Sequence, residues 1–219
     1  MTPDERERAQ WIDAAVVTFI CFGIFIVESV AMAYAGAPSG PADVATDASL
    51  IAMIVQEVML GSIALMYLHL RGYHLLAFVP RPNARDTAIG AVLYAGLALA
   101  IWLLWLLIDP APTAEPIDVL VEQAQFSIPA IIAVAIVNGA YEEFFLLGFV
   151  MPMLARRGGS FAIGLTVLLR VLYHVYQGPH GAVSVAIFGV VLGTYYWRTH
   201  RLWPVVCAHV IADLIGLAA

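Results

Sequence analysis

Three short stretches in the C-terminal part of the chain carry residues that could do chemistry. The stretch "NGAYEEFFLLGF" (138–149) places two adjacent glutamates, Glu142 and Glu143, in apolar company. Asn138 lies one helical turn before Glu142. Arg170 and His174 are four residues apart, as are His209 and Asp213, so on continuous helices each pair shares a face. Two histidines with carboxylates could bind zinc, the usual metal for a His/Glu site with an open position. They could equally hydrolyse a bond without metal. A glutamate in a low-dielectric site can take a proton from water, and histidines with an amide or acid can hold a developing oxyanion. Neither H-E-x-x-H nor G-x-S-x-G occurs, which argues against a zincin or a serine hydrolase. Glu142 and Glu143 stand about 100° apart around a helix. The expectation is that they do not share one partner: one faces a cavity, while a cation or donors hold the other.

The surroundings of these residues explain why they are conspicuous. The chain has 219 residues, of which 62% are hydrophobic and 12% charged, with mean hydropathy +0.89. A soluble domain is nearer half apolar and a quarter charged, so the composition places the chain in a bilayer. Seven apolar segments are legible: 11–36, 47–70, 86–108, 128–155, 159–177, 181–197 and 203–218. Most have the length of a spanning helix, and Gly- and Pro-rich breakers such as "AGAPSGP", "DPAPTAEP" and "QGPHG" separate them. The fold class expected is all-α: a polytopic membrane bundle of about seven helices. Residues 1–10 form a cytoplasmic tail, 11–127 the N-terminal spans and loops, and 128–219 the core that holds the motifs. The first segment is too long for a signal peptide, and Glu28 interrupts it.

Ionisable residues inside spans are rare and tend to mark function. Of the others, Glu28 and Glu57 read as packing or cavity residues, while Asp13 and His69 sit near span ends. Cys21 and Cys207 form no C-x-x-C or secreted disulfide pattern and read as small buried hydrophobes. Trp102, Trp105, Trp197 and Trp203 read as interfacial anchors.

All ten fixed positive charges are arginine. Nine of them fall before the first segment, between the second and third, after the fourth and after the sixth, which implies a cytoplasmic N-terminus and an external C-terminus. The expected location is the inner membrane of a bacterium. No basic stripe exists, so nucleic acid is not an expected partner. Arg170 alone breaks the alternation, in mid-segment. At about 1.5 Å rise per residue from the turn at 156–159, Glu142 and Glu143 lie roughly 20 Å deep, Arg170 roughly 16 Å and His174 roughly 22 Å. Antiparallel neighbours would thus bring all four to one level.

At this point a resemblance is visible. "YEEFFLLGF" resembles the first motif of the CPBP family, the CAAX prenyl endopeptidases and their bacterial relatives, including bacteriocin-processing and bacteriocin-immunity proteins. "LYHVYQGP" resembles the second motif and "LWPVVCAHVIADL" the third, in family order over about 130–216. "FVPRPNARDTAIGA" is similar to the family's linker into its third helix. The resemblance implies that Glu142 is the general base on water, that His174 helps hold that water, and that His209 and Asp213 stabilise the oxyanion. Glu143 is the second glutamate of the pair, and Asn138 supports the site. It implies an intramembrane endopeptidase acting on a membrane-associated protein or peptide precursor, by a metal-free glutamate mechanism. Zinc is the alternative, and its ligands would be Glu142, His174 and His209. A non-catalytic membrane protein of the same fold, an immunity factor or scaffold, is the other reading.

Two positions depart from the family pattern. The family arginine one turn after Glu143 is Leu147, and the family aromatic four residues before His174 is Arg170. Arg170 is therefore expected to pair with the glutamates, above all with Glu143, leaving Glu142 free as the base.

Overall fold

The computed structural model describes residues 2–35, 44–77, 79–109 and 114–218, and among these the chain is mostly helical and forms no strand. In chain order the helices are α1 (Pro3–Ala35), α2 (Asp47–Leu70), α3 (Ala84–Ile108), α4 (Pro116–Gln123), α5 (Ile128–Met153), α6 (Gly159–Leu172), α7 (Pro179–Thr199) and α8 (Leu202–Ala218). Their starts follow local chemistry. Asn83 caps α3 by accepting from the Asp86 N–H at 2.9 Å. Thr46 N–H donates to Ser49 Oγ at 3.0 Å at the start of α2. Pro116 and Pro179 open α4 and α7, where a missing N–H costs nothing.

Five helices (α1, α2, α3, α5 and α7) are long and apolar enough to cross a membrane, while α6 and α8 are shorter apolar helices. The chain is a multi-pass helical membrane bundle. Its outward faces are apolar, with Phe19, Val92 and Leu107 more than two-thirds exposed. Its interior holds Glu57, Glu142, Glu143, Arg170 and His209, all buried. That reverses the arrangement of a soluble domain and suits a hydrocarbon solvent.

Three details differ from the sequence reading. The fifth segment is not one helix to 177. It ends at Leu172, Tyr173 and His174 lie in a turn, and a 3₁₀ turn covers Val175–Gln177. The loop after α3 contains α4, a short helix with an acidic, proline-led start. Inside α5, Glu143–Val150 is wound as a π-helix, seen in the Met151 N–H bonding the Leu146 carbonyl. Such widened turns are frequent at functional sites.

Helix α8 is inserted between α3 and α5, and glycines let it approach both. A Cβ at Gly90 on α3 would lie 2.5 Å from Cys207 Cβ and 2.6 Å from the Pro204 carbonyl oxygen. A Cβ at Gly139 on α5 would lie 3.0 Å from Val210 Cγ2. Small residues bring membrane helices close enough for side chains on different helices to meet. At the arginine-bearing end, Asp13 accepts from Arg71 Nε at 2.8 Å, Tyr67 Oη at 2.6 Å and Tyr73 Oη at 2.8 Å. Arg156 and Arg157 both reach Glu7, and Arg201 pairs with Asp86.

Candidate functional site

The π stretch begins immediately after Glu142, so the two glutamates straddle the change of winding. Both side chains are buried, Glu143 completely. An unpaired carboxylate there would be expensive, and the compensating charge comes from α6. Arg170 NH2 donates to Glu143 Oε1 at 2.7 Å, and NH1 donates to Glu142 Oε2 at 3.2 Å. The expectation that the glutamates do not share a partner is therefore corrected. A guanidinium presents separate nitrogens in a planar fork, so one residue can serve two carboxylates that point in different directions. Arg170 does pair with Glu143, but Glu142 is not free of it.

Arg170 is itself enclosed. Its guanidinium carbon lies 5.5 Å from the centre of the Phe188 ring on α7, within cation–π range. Gly189 gives it room, since a Cβ there would lie 3.4 Å from Arg170 Cδ. The same phenylalanine packs edge-on against the His209 ring, with centroids 5.3 Å apart.

Helix α8 supplies His209 and Asp213. His209 Nδ1 lies 2.6 Å from Glu143 Oε1, a distance at which the ring nitrogen donates to the carboxylate. His209 Nε2 lies 3.5 Å from Asp213 Oδ1 and 4.0 Å from Glu142 Oε2. Asp213 is held from α5 by Asn138, whose Nδ2 donates to Oδ2 at 2.9 Å. Asn138 thus supports Asp213 and not Glu142, one turn away on its own helix.

His174 sits beyond the end of α6, so it does not share a helical face with Arg170 as expected. Its Nδ1 lies 2.9 Å from the Arg170 carbonyl oxygen. A carbonyl can only accept, so Nδ1 carries the hydrogen, and in the neutral ring Nε2 keeps its lone pair. The side chain closes the frayed end of the helix and fixes its own tautomer.

Three residues near the site were not singled out from the sequence for it. Tyr173 Oη donates to Glu142 Oε2 at 2.7 Å. Phe188 floors the arginine. Ser29 of α1 accepts from the Tyr176 N–H at 3.2 Å and ties the turn after His174 to the first helix. An aromatic beside a motif histidine was a signal for Tyr173, but a ring in an apolar segment reads first as packing. Glu57 on α2 is buried, and no hydrogen bond reaches its Oε2.

Among the described residues, no group of three His, Cys, Asp or Glu side chains is set to hold a metal ion. The trio Glu142, His174 and His209 does not form one. His174 turns Nδ1 to a backbone carbonyl, and the Arg170 cation already stands against Glu142, with NH1 3.4 Å from His209 Nδ1. The residues as placed do not fit a zinc centre.

Leu147, at the family's arginine position, is buried in the main apolar core.

Residues 124–215 match the family model described as Rce1-like, type II CAAX prenyl endopeptidase. No curated protein and no solved structure matches the chain. The matched segment contains Glu142, Glu143, His174, His209 and Asp213, and it supports the CPBP/CAAX protease family for the part of the chain that carries the three motifs.

Proposed function

We propose that this protein is an intramembrane endopeptidase that hydrolyses a peptide bond in a membrane-associated protein or peptide precursor, with Glu142 as the base on water. The observation that carries the reading is the state of Glu142. Oε2 accepts from Tyr173 and Arg170, while among the described residues no donor reaches Oε1. Glu143 Oε2 also lacks a donor but is fully enclosed, whereas Glu142 keeps some exposed surface, so Glu142 is the one that can meet a water.

The chemistry follows from the partners. Glu142 Oε1 accepts a proton from water, and the water oxygen attacks the carbonyl carbon. The Nε2 lone pair of His174 accepts a hydrogen bond from the same water and orients it. His209 has carboxylates facing both ring nitrogens, and a ring carrying hydrogen on each donates toward both sides. Its Nε2–H is held only loosely by Asp213 at 3.5 Å and is available to the developing oxyanion. On collapse the C–N bond breaks, and the proton on Glu142 passes to the leaving amine. Glu143 and Arg170 hold the histidine and the base in place.

The proposed setting is the bacterial inner membrane, with the N-terminus in the cytoplasm and the C-terminus outside. A non-catalytic role, as an immunity factor or scaffold, is the second reading. The observation favouring it is that Leu147 replaces the family arginine. The experiment that separates the two uses protein purified in detergent. It is offered a fluorogenic peptide library that includes prenylated CAAX peptides, with and without chelator. Cleavage that survives chelation supports the glutamate mechanism. No cleavage of any peptide supports the non-catalytic reading.

A further inference from the structure

We infer that Tyr173 is a positioning residue for the water-activating carboxylate, holding Glu142 with one oxygen bound and the other turned to take the proton. The inference rests on the proposed role of Glu142 and adds a residue to it.

The phenol is placed by more than its neighbour's position in a motif. Helix α6 ends at Leu172, and Tyr173 occupies the first residue of the turn. Its ring stacks on Phe22 of α1, with centroids 5.2 Å apart and planes 13° from parallel. It also lies 4.6 Å from the His174 ring. With the ring clamped, the hydroxyl meets Glu142 Oε2 at 2.7 Å.

Arg170 cannot do this alone. Its NH1 lies 3.2 Å from Glu142 Oε2 and 3.4 Å from His209 Nδ1, while NH2 is committed to Glu143 at 2.7 Å. The guanidinium is divided between two carboxylates, its NH1 lies beside an Nδ1 that already donates to Glu143, and the shorter bond to Glu142 comes from the phenol. A carboxylate rotates easily about its last bond. With two donors on one oxygen, any rotation short of a half-turn breaks both contacts, so the group keeps its orientation and presents its other oxygen in one direction. Termination of the helix at Leu172 is what makes this possible, because it frees Tyr173 and His174 to serve opposite ends of one reaction: the base and the water.

Tyr173→Phe keeps the stacked ring and removes only the hydroxyl. Turnover is measured on a peptide cleaved in the library screen, with Glu142→Gln alongside. Loss of one hydrogen bond to a charged group should lower kcat roughly 10–100-fold and leave KM unchanged, at a membrane yield and melting temperature equal to wild type, so that a loss of folded protein does not account for it. Wild-type kcat in Tyr173→Phe beside an inactive Glu142→Gln would overturn this inference and leave the parent reading standing. Full activity in Glu142→Gln would overturn the parent reading. A second measurement needs no substrate. An apolar carbodiimide modifies protonated carboxyl groups, and mass spectrometry reads the modified residue. Without the phenol the Glu142 carboxylate is free to turn toward the reagent, so its labelling should rise several-fold in Tyr173→Phe at equal total protein. Equal labelling in the two proteins would sink the positioning role, whether or not any peptide is cleaved.

Discussion

Arg170 and Glu143 meet at 2.7 Å across two antiparallel helices, and both are buried. The cation that pairs with both glutamates therefore comes from α6. The family pattern would place it on α5 itself, at the position of Leu147. An arginine at the centre of a span costs about 2.5–3.5 kcal/mol on insertion scales, and its retention there requires a partner of this kind. Two carboxylates, a histidine nitrogen and an aromatic face surround it.

The first prediction follows from that enclosure. Arg170→Leu leaves two buried carboxylates without their cation, and breaking one side of a buried pair costs about 3–5 kcal/mol. The variant should accumulate poorly in membranes and unfold at a clearly lower temperature in detergent. Arg170→Lys keeps the charge but loses the fork, so it should fall between Leu and wild type. An unchanged melting temperature for Arg170→Leu would show that the pair does not hold the core.

The second prediction tests the base. Glu142→Gln preserves size and can still accept from Tyr173, but it cannot take a proton. Positioned acid–base catalysis is worth about 10²–10⁴-fold, so peptide cleavage should fall by at least that range while the protein accumulates normally. His209→Ala removes the donor facing the oxyanion and should also lose cleavage. Its stability should drop as well, because Glu143 Oε1 loses a 2.6 Å contact. Retained cleavage in Glu142→Gln would move the chemistry elsewhere.

Much of this arrangement was legible in the residues, and the rest was hidden for identifiable reasons. The apolar segments were read from hydropathy and became helices, because only backbone-satisfied helices suit a bilayer at this composition. The level of Arg170 against the glutamates followed from helical rise alone. The end of α6 did not follow. The visible breakers are Gly178 and Pro179, yet the helix stops at Leu172, where His174 takes the Arg170 carbonyl with its side chain. The π winding after Glu142 changes hydrogen-bond register without changing hydrophobicity, so an all-apolar stretch such as Phe144–Val150 carries no pattern that reveals it. The sharing of Arg170 between Glu142 and Glu143 depends on where the fork lands, which spacing does not specify.

The third prediction concerns topology. Arg71, Arg156, Arg157 and Arg201 all engage acidic residues near the starts of α1 and α3. The arginine-bearing ends of α2 and α5 thus meet the start of α1, and the turn between α7 and α8 meets the start of α3, the pattern that an orientation set by positive charge predicts. Reporter fusions after Arg71, Arg157 and Arg201 should register cytoplasm, and fusions after Gly40 and Glu115 should register the outside. A cytoplasmic signal from the Glu115 fusion would overturn the orientation and the seven-span count with it.

The fourth prediction tests whether Arg170 stands in for the arginine missing at 147. Leu147 lies four residues after Glu143 within the π-wound stretch, on an element whose repeat is longer than that of an α-helix. A residue there projects close to the face of Glu143, so an arginine at 147 can reach the same carboxylate from its own helix. Arg170→Phe alone should be destabilised much as Arg170→Leu is, since an added ring supplies no charge. Leu147→Arg alone should also be harmful, because it adds a second cation beside one already paired and removes an apolar side chain from the core. Together the changes should compensate. The double variant Arg170→Phe with Leu147→Arg carries one cation against the pair, as the family pattern has it, and should recover much of the lost melting temperature and membrane yield. Because contacting residues couple non-additively, the measurement is a double-mutant cycle on thermal stability in detergent. A coupling near zero, with the double variant as unstable as the sum of the two single changes, would show that the two positions do not serve one carboxylate.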